Sequence, residues 1–224
     1  MLPRIFAALA VGFISMAAAQ AAEPLHVYGP GGPLPAVKEA ADAFGRAHGI
    51  EVVVTAFGGQ IDSHGVAPLY LRPSTILVRP GNPRHIAGLA DLLKPGHKII
   101  VVNGSGQGGL WEDVVGRLGD IRSVRALRGN IALFAAASAD AKQAWTTDPS
   151  FDAWLIWNIW QVSNPTIASQ VAVEPKYRIF RDTGVVVTQR GAARPEAKAF
   201  AAYLASPEGA KIFAHWGWIA APAK

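Results

Sequence analysis

Twice along this chain a short β-branched run gives way to a glycine-rich loop and then to a helical period, and that device most narrows what the chain can fold into. The first copy runs from Leu25-His26-Val27-Tyr28 through Gly29-Pro30-Gly31-Gly32-Pro33-Leu34-Pro35 into residues 36–48. There the apolar positions Ala36, Val37, Ala40, Ala41 and Phe44 keep a helical spacing, and Gly49 is placed to end the helix. Residues 50–56 follow as a β-branched strand, completing one βαβ unit of a parallel sheet. The second copy runs from the strand at 97–102 through Asn103-Gly104-Ser105-Gly106-Gln107-Gly108-Gly109 into a helix beginning at Leu110. Strands alternating with helices make the class α/β, and two copies of the device imply two sheets, each turning a helix N-terminus toward one shared cleft.

Elsewhere the pattern is less regular. Residues 69–78 read as an extended run broken by Pro73, and residues 86–93 as a short helix. One helix is expected over 121–133 and another over 139–145. Residues 171–173, 177–180 and 184–188 read as extended. Helices are expected over 195–204 and 207–216, the latter opened by Ser206 as N-cap and Pro207 at the first position.

Composition closes several routes. Of 224 residues, 50% are hydrophobic and 17% charged, a core-forming balance. With no cysteine, disulfide scaffolds, thiolate metal sites and cysteine nucleophiles are excluded. Arg4, an apolar run over residues 5–19 and Ala19-Gln20-Ala21 read as a signal peptide of residues 1–21, implying export to the periplasm. That run is too short to cross a bilayer, which takes about 20 residues. The net charge of +5 falls to about +4 without Arg4. Arg117, Arg122, Arg125 and Arg128 read as a solvated helix face, so no nucleic-acid partner is expected, while a basic balance suits an anionic ligand.

Both glycine loops can hold an anion, because helix N-termini carry unbonded N–H groups and a partial positive charge. In the first, Tyr28, Gly29, Gly31 and Gly32 are candidates; in the second, Asn103, Ser105, Gly106 and Gln107. The second loop is not a phosphate-binding P-loop, since no Gly-Lys-Ser/Thr follows, and G-x-G-x-G-G alone is no dinucleotide fingerprint. Trp111, Trp157 and Asn158 are further candidates, because an indole N–H or an amide within an apolar run needs a partner. Arg72 stands where an extended segment can pass between two lobes and pair with an anion. Each also has a plainer reading as turn, core or surface.

Catalytic constellations are missing. The six histidines have no metal-binding spacing, the string around Ser105 is not a nucleophile elbow, and Glu112-Asp113 diverge on a helix. No cofactor is expected. An exported hydrolase using Ser105 and a ligand-free adhesion factor remain as alternatives.

Four strings carry a resemblance: Val27-Tyr28-Gly29-Pro30-Gly31-Gly32-Pro33, Tyr70-Leu71-Arg72-Pro73-Ser74, Val101-Val102-Asn103-Gly104-Ser105-Gly106-Gln107 with Leu110-Trp111-Glu112-Asp113, and Ala153-Trp154-Leu155-Ile156-Trp157-Asn158-Ile159-Trp160-Gln161. Together they resemble accessory colonization factor C, which is similar to the type II periplasmic binding proteins of molybdate and sulfate ABC transporters. The resemblance implies a two-lobed, non-enzymatic receptor, with residues 23–72 plus 184–224 in lobe 1 and 73–183 in lobe 2. It implies a monomer that takes a small anionic or polar solute, an oxyanion or a carboxylate, and a membrane ABC permease as partner. It also implies a helix and strand before Gln60, whereas here Gly58-Gly59 runs straight into Gln60-Ile61-Asp62. The first lobe is therefore expected to lack one helix–strand unit.

If residues 1–21 are a signal, N-terminal sequencing of exported protein will start near Ala22, and intact Met1 on that material would refute the cleavage.

Overall fold

The structure, a computed structural model, describes residues 23–56, 65–104 and 107–220. The signal peptide, the Gly59–Gln60 join, Ser105 and Gly106 lie outside the described residues.

The opening βαβ unit forms as expected. Strand β1 (Leu25–Gly29) pairs in parallel with β2 (Val52–Ala56), Leu25 opposite Val52, with helix α1 (Leu34–His48) between them. Helix α1 buries Ala36, Ala40, Ala41 and Phe44, and ends at Gly49, whose φ of 65° is the left-handed conformation that glycine adopts freely.

Strand β3 (Ala67–Val78) joins the rest of the molecule. Its first half, Ala67 to Pro73, pairs antiparallel with β8 (Phe180–Val185). Its second half, Ser74 to Val78, pairs with β6 (Ala153–Trp157) on one side and, from Thr75, with β7 (Ser169–Ala172) on the other. Pro73 does not break the strand. It falls where β3 exchanges one set of neighbours for the next, so its missing N–H removes little from the ladders, while its carbonyl accepts from Asn158 N at 3.1 Å.

The larger sheet runs β5-β4-β6-β3-β7, where β4 is Ile99–Val102 and β5 is Ile131–Ala135. Strands β4 and β6 are buried along their whole length, as central strands covered on both faces must be. Helices α2 (Leu89–Leu92), α3 (Leu110–Gly116), α4 (Ile121–Asn130), α5 (Ser138–Thr147) and α6 (Ile159–Val162) accompany this sheet.

Two expected helices are shorter than their patterns. The helix expected over 121–133 stops at Asn130, and residues 131–135 form β5 instead. Asn130 fixes the change by donating its amide to Leu92 O at 2.8 Å and Lys94 O at 2.7 Å. Helix α2 starts at Leu89 rather than Ile86, because Asn82 clasps Ile86 through both its N–H and its carbonyl, and Glu174 accepts from Leu89 N at 3.0 Å.

At the C-terminal end, α7 (Pro195–Leu204) and α8 (Pro207–His215) pack on α1. Ser206 accepts from Gly209 N as the N-cap. Phe44 of α1 lies 5.2 Å from Phe200 and 5.6 Å from Tyr203, ring centre to ring centre. Tyr70 ties β3 to this layer by donating to Leu204 O and stacking on Phe213 at 4.3 Å. Among the described residues no helix is long and apolar enough to cross a membrane.

Phe44→Ala should lower stability by about 3–5 kcal/mol, the usual effect of emptying a buried aromatic site. Urea unfolding measures it, and a loss below about 1 kcal/mol would mean that α1 is held elsewhere.

Candidate functional site

Where β3 changes neighbours, Arg72 turns its guanidinium between two indoles. Its Cζ lies 4.9 Å from the Trp157 ring centre and 5.3 Å from that of Trp218. The residue is half-buried, yet its Nε is sealed from solvent and has no hydrogen-bond partner among the described residues. Loss of hydration pulls its pKa down to about 10. Asp182 partly reverses that shift and Arg181 adds to it, and the cation persists at neutral pH. Arg181 itself is engaged elsewhere, pairing with Asp113 of α3 at 2.8 Å.

The first glycine loop closes over this cation. A Cβ built on Gly32 would lie 2.5 Å from Arg72 Nη1 and 3.2 Å from Ile159 Cδ1, so only glycine allows this approach without moving the guanidinium. Beside it a cleft of about 270 Å³ is walled by Gly31, Gly32 and Pro35 at the start of α1, and by Lys142, Ser163 and Asn164 from the facing helices and loop. The N-cap of α1 is Pro33, which offers no side-chain acceptor, and the first turn holds no acidic residue, so among the described residues its positive end is uncompensated.

Asn158 links the two halves of the site. Its backbone N–H donates to Pro73 O, and its amide donates to Gly217 O at 2.6 Å, just before Trp218. Its Oδ1, and the indole N–H groups of Trp157 and Trp218, are buried without partners among the described residues.

Gly31, Gly32, Arg72, Trp157 and Asn158 are thus gathered in one place. The other candidates stand apart. Tyr28, 54% exposed, and Gly29 border a different and mainly apolar cavity. Trp111 packs edge-on to Phe134 at 6.2 Å under Arg128, and its indole N–H has no partner among the described residues. Asn103 is exposed, and its backbone N–H bonds Ala135 O at 2.8 Å. Gln107 is buried and donates to Ser138, and its Oε1 has no partner among the described residues. Two of the four glycines in that loop have a structural cause: Gly104 lies against the carbonyl of Ala136, and Gly109 has a φ of 80°. Trp218, Lys142, Ser163 and Asn164 escaped the sequence reading, because nothing in their local pattern separates them from ordinary helix and surface positions.

A family model described as bacterial extracellular solute-binding protein matches residues 57–219. The chain belongs to that family. Its architecture is the type II periplasmic-binding-protein fold, and the family is one of binding proteins rather than enzymes. PEB3 bound to L-phospholactate is 32% identical, with a TM-score of 0.81, and the match covers 88% of this chain and 100% of that one. Peb3 from Campylobacter jejuni is 30% identical, with a TM-score of 0.76 over the same shares. The sulfate-binding protein SubI from Mycobacterium tuberculosis H37Rv shares the fold at 17% identity, with a TM-score of 0.67, over 89% of this chain and 86% of that one. Among curated proteins no sequence matches.

Asn158→Ala should leave Gly217 O unpaired and free the Trp218 turn, lowering stability by about 1–3 kcal/mol. Chemical denaturation reads this, and an unchanged midpoint would show that the tether is dispensable.

Proposed function

We propose that this solute-binding protein works in the periplasm, capturing a small oxyanion or carboxylate against Arg72 and passing it to a membrane ABC permease. One observation carries the reading: a desolvated guanidinium, flanked by two indoles and the start of α1, whose Nε–H has no partner among the described residues. A cation in that setting gains from an anion, because charge-assisted bonds replace the hydration it has lost.

The first lobe is taken as residues 23–72 plus 184–224 and the second as 73–183, with closure by hinge motion near Arg72 and Pro73. Gly31, Gly32 and Asn158 contribute from around the guanidinium. Asn103, Ser105, Gly106, Gln107 and Trp111 would contribute from the second glycine loop when the lobes close. The ligand in PEB3 carries a phosphate ester and a carboxylate, and a receptor with one buried cation and one helix N-terminus suits a small anion of that kind.

Calorimetric titration with phospholactate, phosphate and sulfate tests this. A ligand that binds should raise the unfolding free energy by about 2.7 kcal/mol at one hundred times its Kd, and be recovered unchanged. Arg72→Ala should weaken binding by about 10–100-fold, the worth of a charge-assisted hydrogen bond. Equal affinity in the variant would remove Arg72 from the site.

A further inference from the structure

We propose that Asn103 is a site of self-modification: the backbone nitrogen of Gly104 displaces ammonia from its side-chain amide, which leaves aspartate or isoaspartate at the head of the second glycine loop.

The chain has five asparagines, and four of them are shielded from this reaction. Attack on the side-chain carbonyl closes a five-membered ring and needs the N–H of the next residue, unbonded and uncrowded. Asn82 and Asn164 precede Pro83 and Pro165, which have no N–H. Asn130 precedes Ile131, whose β-branch crowds the approach and whose N–H is already given to Arg128 O. The Asn130 amide is itself tied to Leu92 O and Lys94 O. Asn158 precedes the β-branched Ile159, and its amide donates to Gly217 O at 2.6 Å.

Asn103 has none of these protections. Its side chain is exposed, and its amide makes no hydrogen bond among the described residues. The residue that follows has no side chain to hinder attack, and Gly104 N makes no hydrogen bond among the described residues either. The fold also demands that glycine, because a Cβ at position 104 would collide with the carbonyl of Ala136. The packing that requires Gly104 therefore keeps the reactive pair in place.

The chemistry needs only water. Gly104 N loses its proton and bonds to Asn103 Cγ, the Cγ–Nδ2 bond breaks, and ammonia leaves with that proton. Water then opens the cyclic imide. Opening at Cγ yields aspartate, and opening at the main-chain carbonyl yields isoaspartate, which adds one carbon to the backbone. Either product replaces a neutral amide with a charged group that only accepts hydrogen bonds. Resting on the anion reading of this loop, the consequence is a receptor that loses affinity as it ages, because the new carboxylate repels an anionic ligand.

The test is to incubate the full chain in neutral buffer over days and map its peptides by mass spectrometry. The peptide carrying Asn103 should gain one dalton and split into aspartate and isoaspartate forms, with the other four asparagines unchanged. Asn103→Gln, which would have to close a six-membered ring, should keep its mass. An intact Asn103 in the folded chain would overturn the proposal, and conversion in urea alone would show that the fold protects the pair. The functional consequence is read separately, by titrating phosphate and phospholactate into fresh chain and into Asn103→Asp, which should bind about fivefold or more weakly. Equal affinity would overturn the loss of affinity on ageing. Failure of fresh chain to bind either probe would count against the anion reading, while the mass gain still decides the modification.

Discussion

A guanidinium held away from water and pressed between two indoles is the constraint around which the rest is arranged. Removing Arg72 from solvent is unfavourable, and the visible compensation comes from the faces of Trp157 and Trp218 and the field of Asp182. None of these satisfies Nε. The arrangement needs both indoles fixed, and each is fixed from a different part of the chain. Trp157 is a fully buried strand residue of β6, and Trp218 follows a turn that Asn158 holds.

Strand β3 makes that convergence mechanically possible. It pairs with β8 in its first half and with β6 and β7 in its second, and its Tyr70 bonds Leu204 O and stacks on Phe213 of the two helices that pack on α1. Arg72 and Pro73 sit at the exchange. A proline is tolerated there because no ladder needs its N–H, and the guanidinium of Arg72 is lodged over the Trp157 and Trp218 rings. The second consequence of this layout is the opening βαβ layer, whose parallel pair has little sheet of its own and relies on α7 and α8 for cover.

Much of the fold was legible from short-range signals. The period of α1, the left-handed Gly49, the Ser206 cap and the buried runs at β4 and β6 are each set by neighbours a few residues away, so the local pattern suffices. Strand β5 was not legible. Its residues continue the apolar spacing of α4, and what ends the helix is an amide reaching carbonyls 36 and 38 residues earlier in the chain. The same holds for Ile86, which Asn82 removes from a helix that its periodicity would allow. Within the candidate site, Gly32, Arg72, Trp157 and Asn158 were readable as residues that demand partners. Trp218 and Lys142 were not, since they matter through their position alone.

By itself the sequence determined the α/β class, the two glycine loops before helices, the absence of thiol chemistry and a set of polar groups too costly to leave alone in apolar runs. These follow from backbone periodicity and from the hydrogen-bonding needs of individual side chains. Only the tertiary structure decided which of those groups meet. It brought both Gly32 and Trp157 against Arg72, sent Tyr28 and Gly29 to a separate apolar cavity, and gave Gly104 and Gly109 structural reasons of their own. Such meetings depend on how sheets pack across long stretches of chain, and no local spacing encodes that distance.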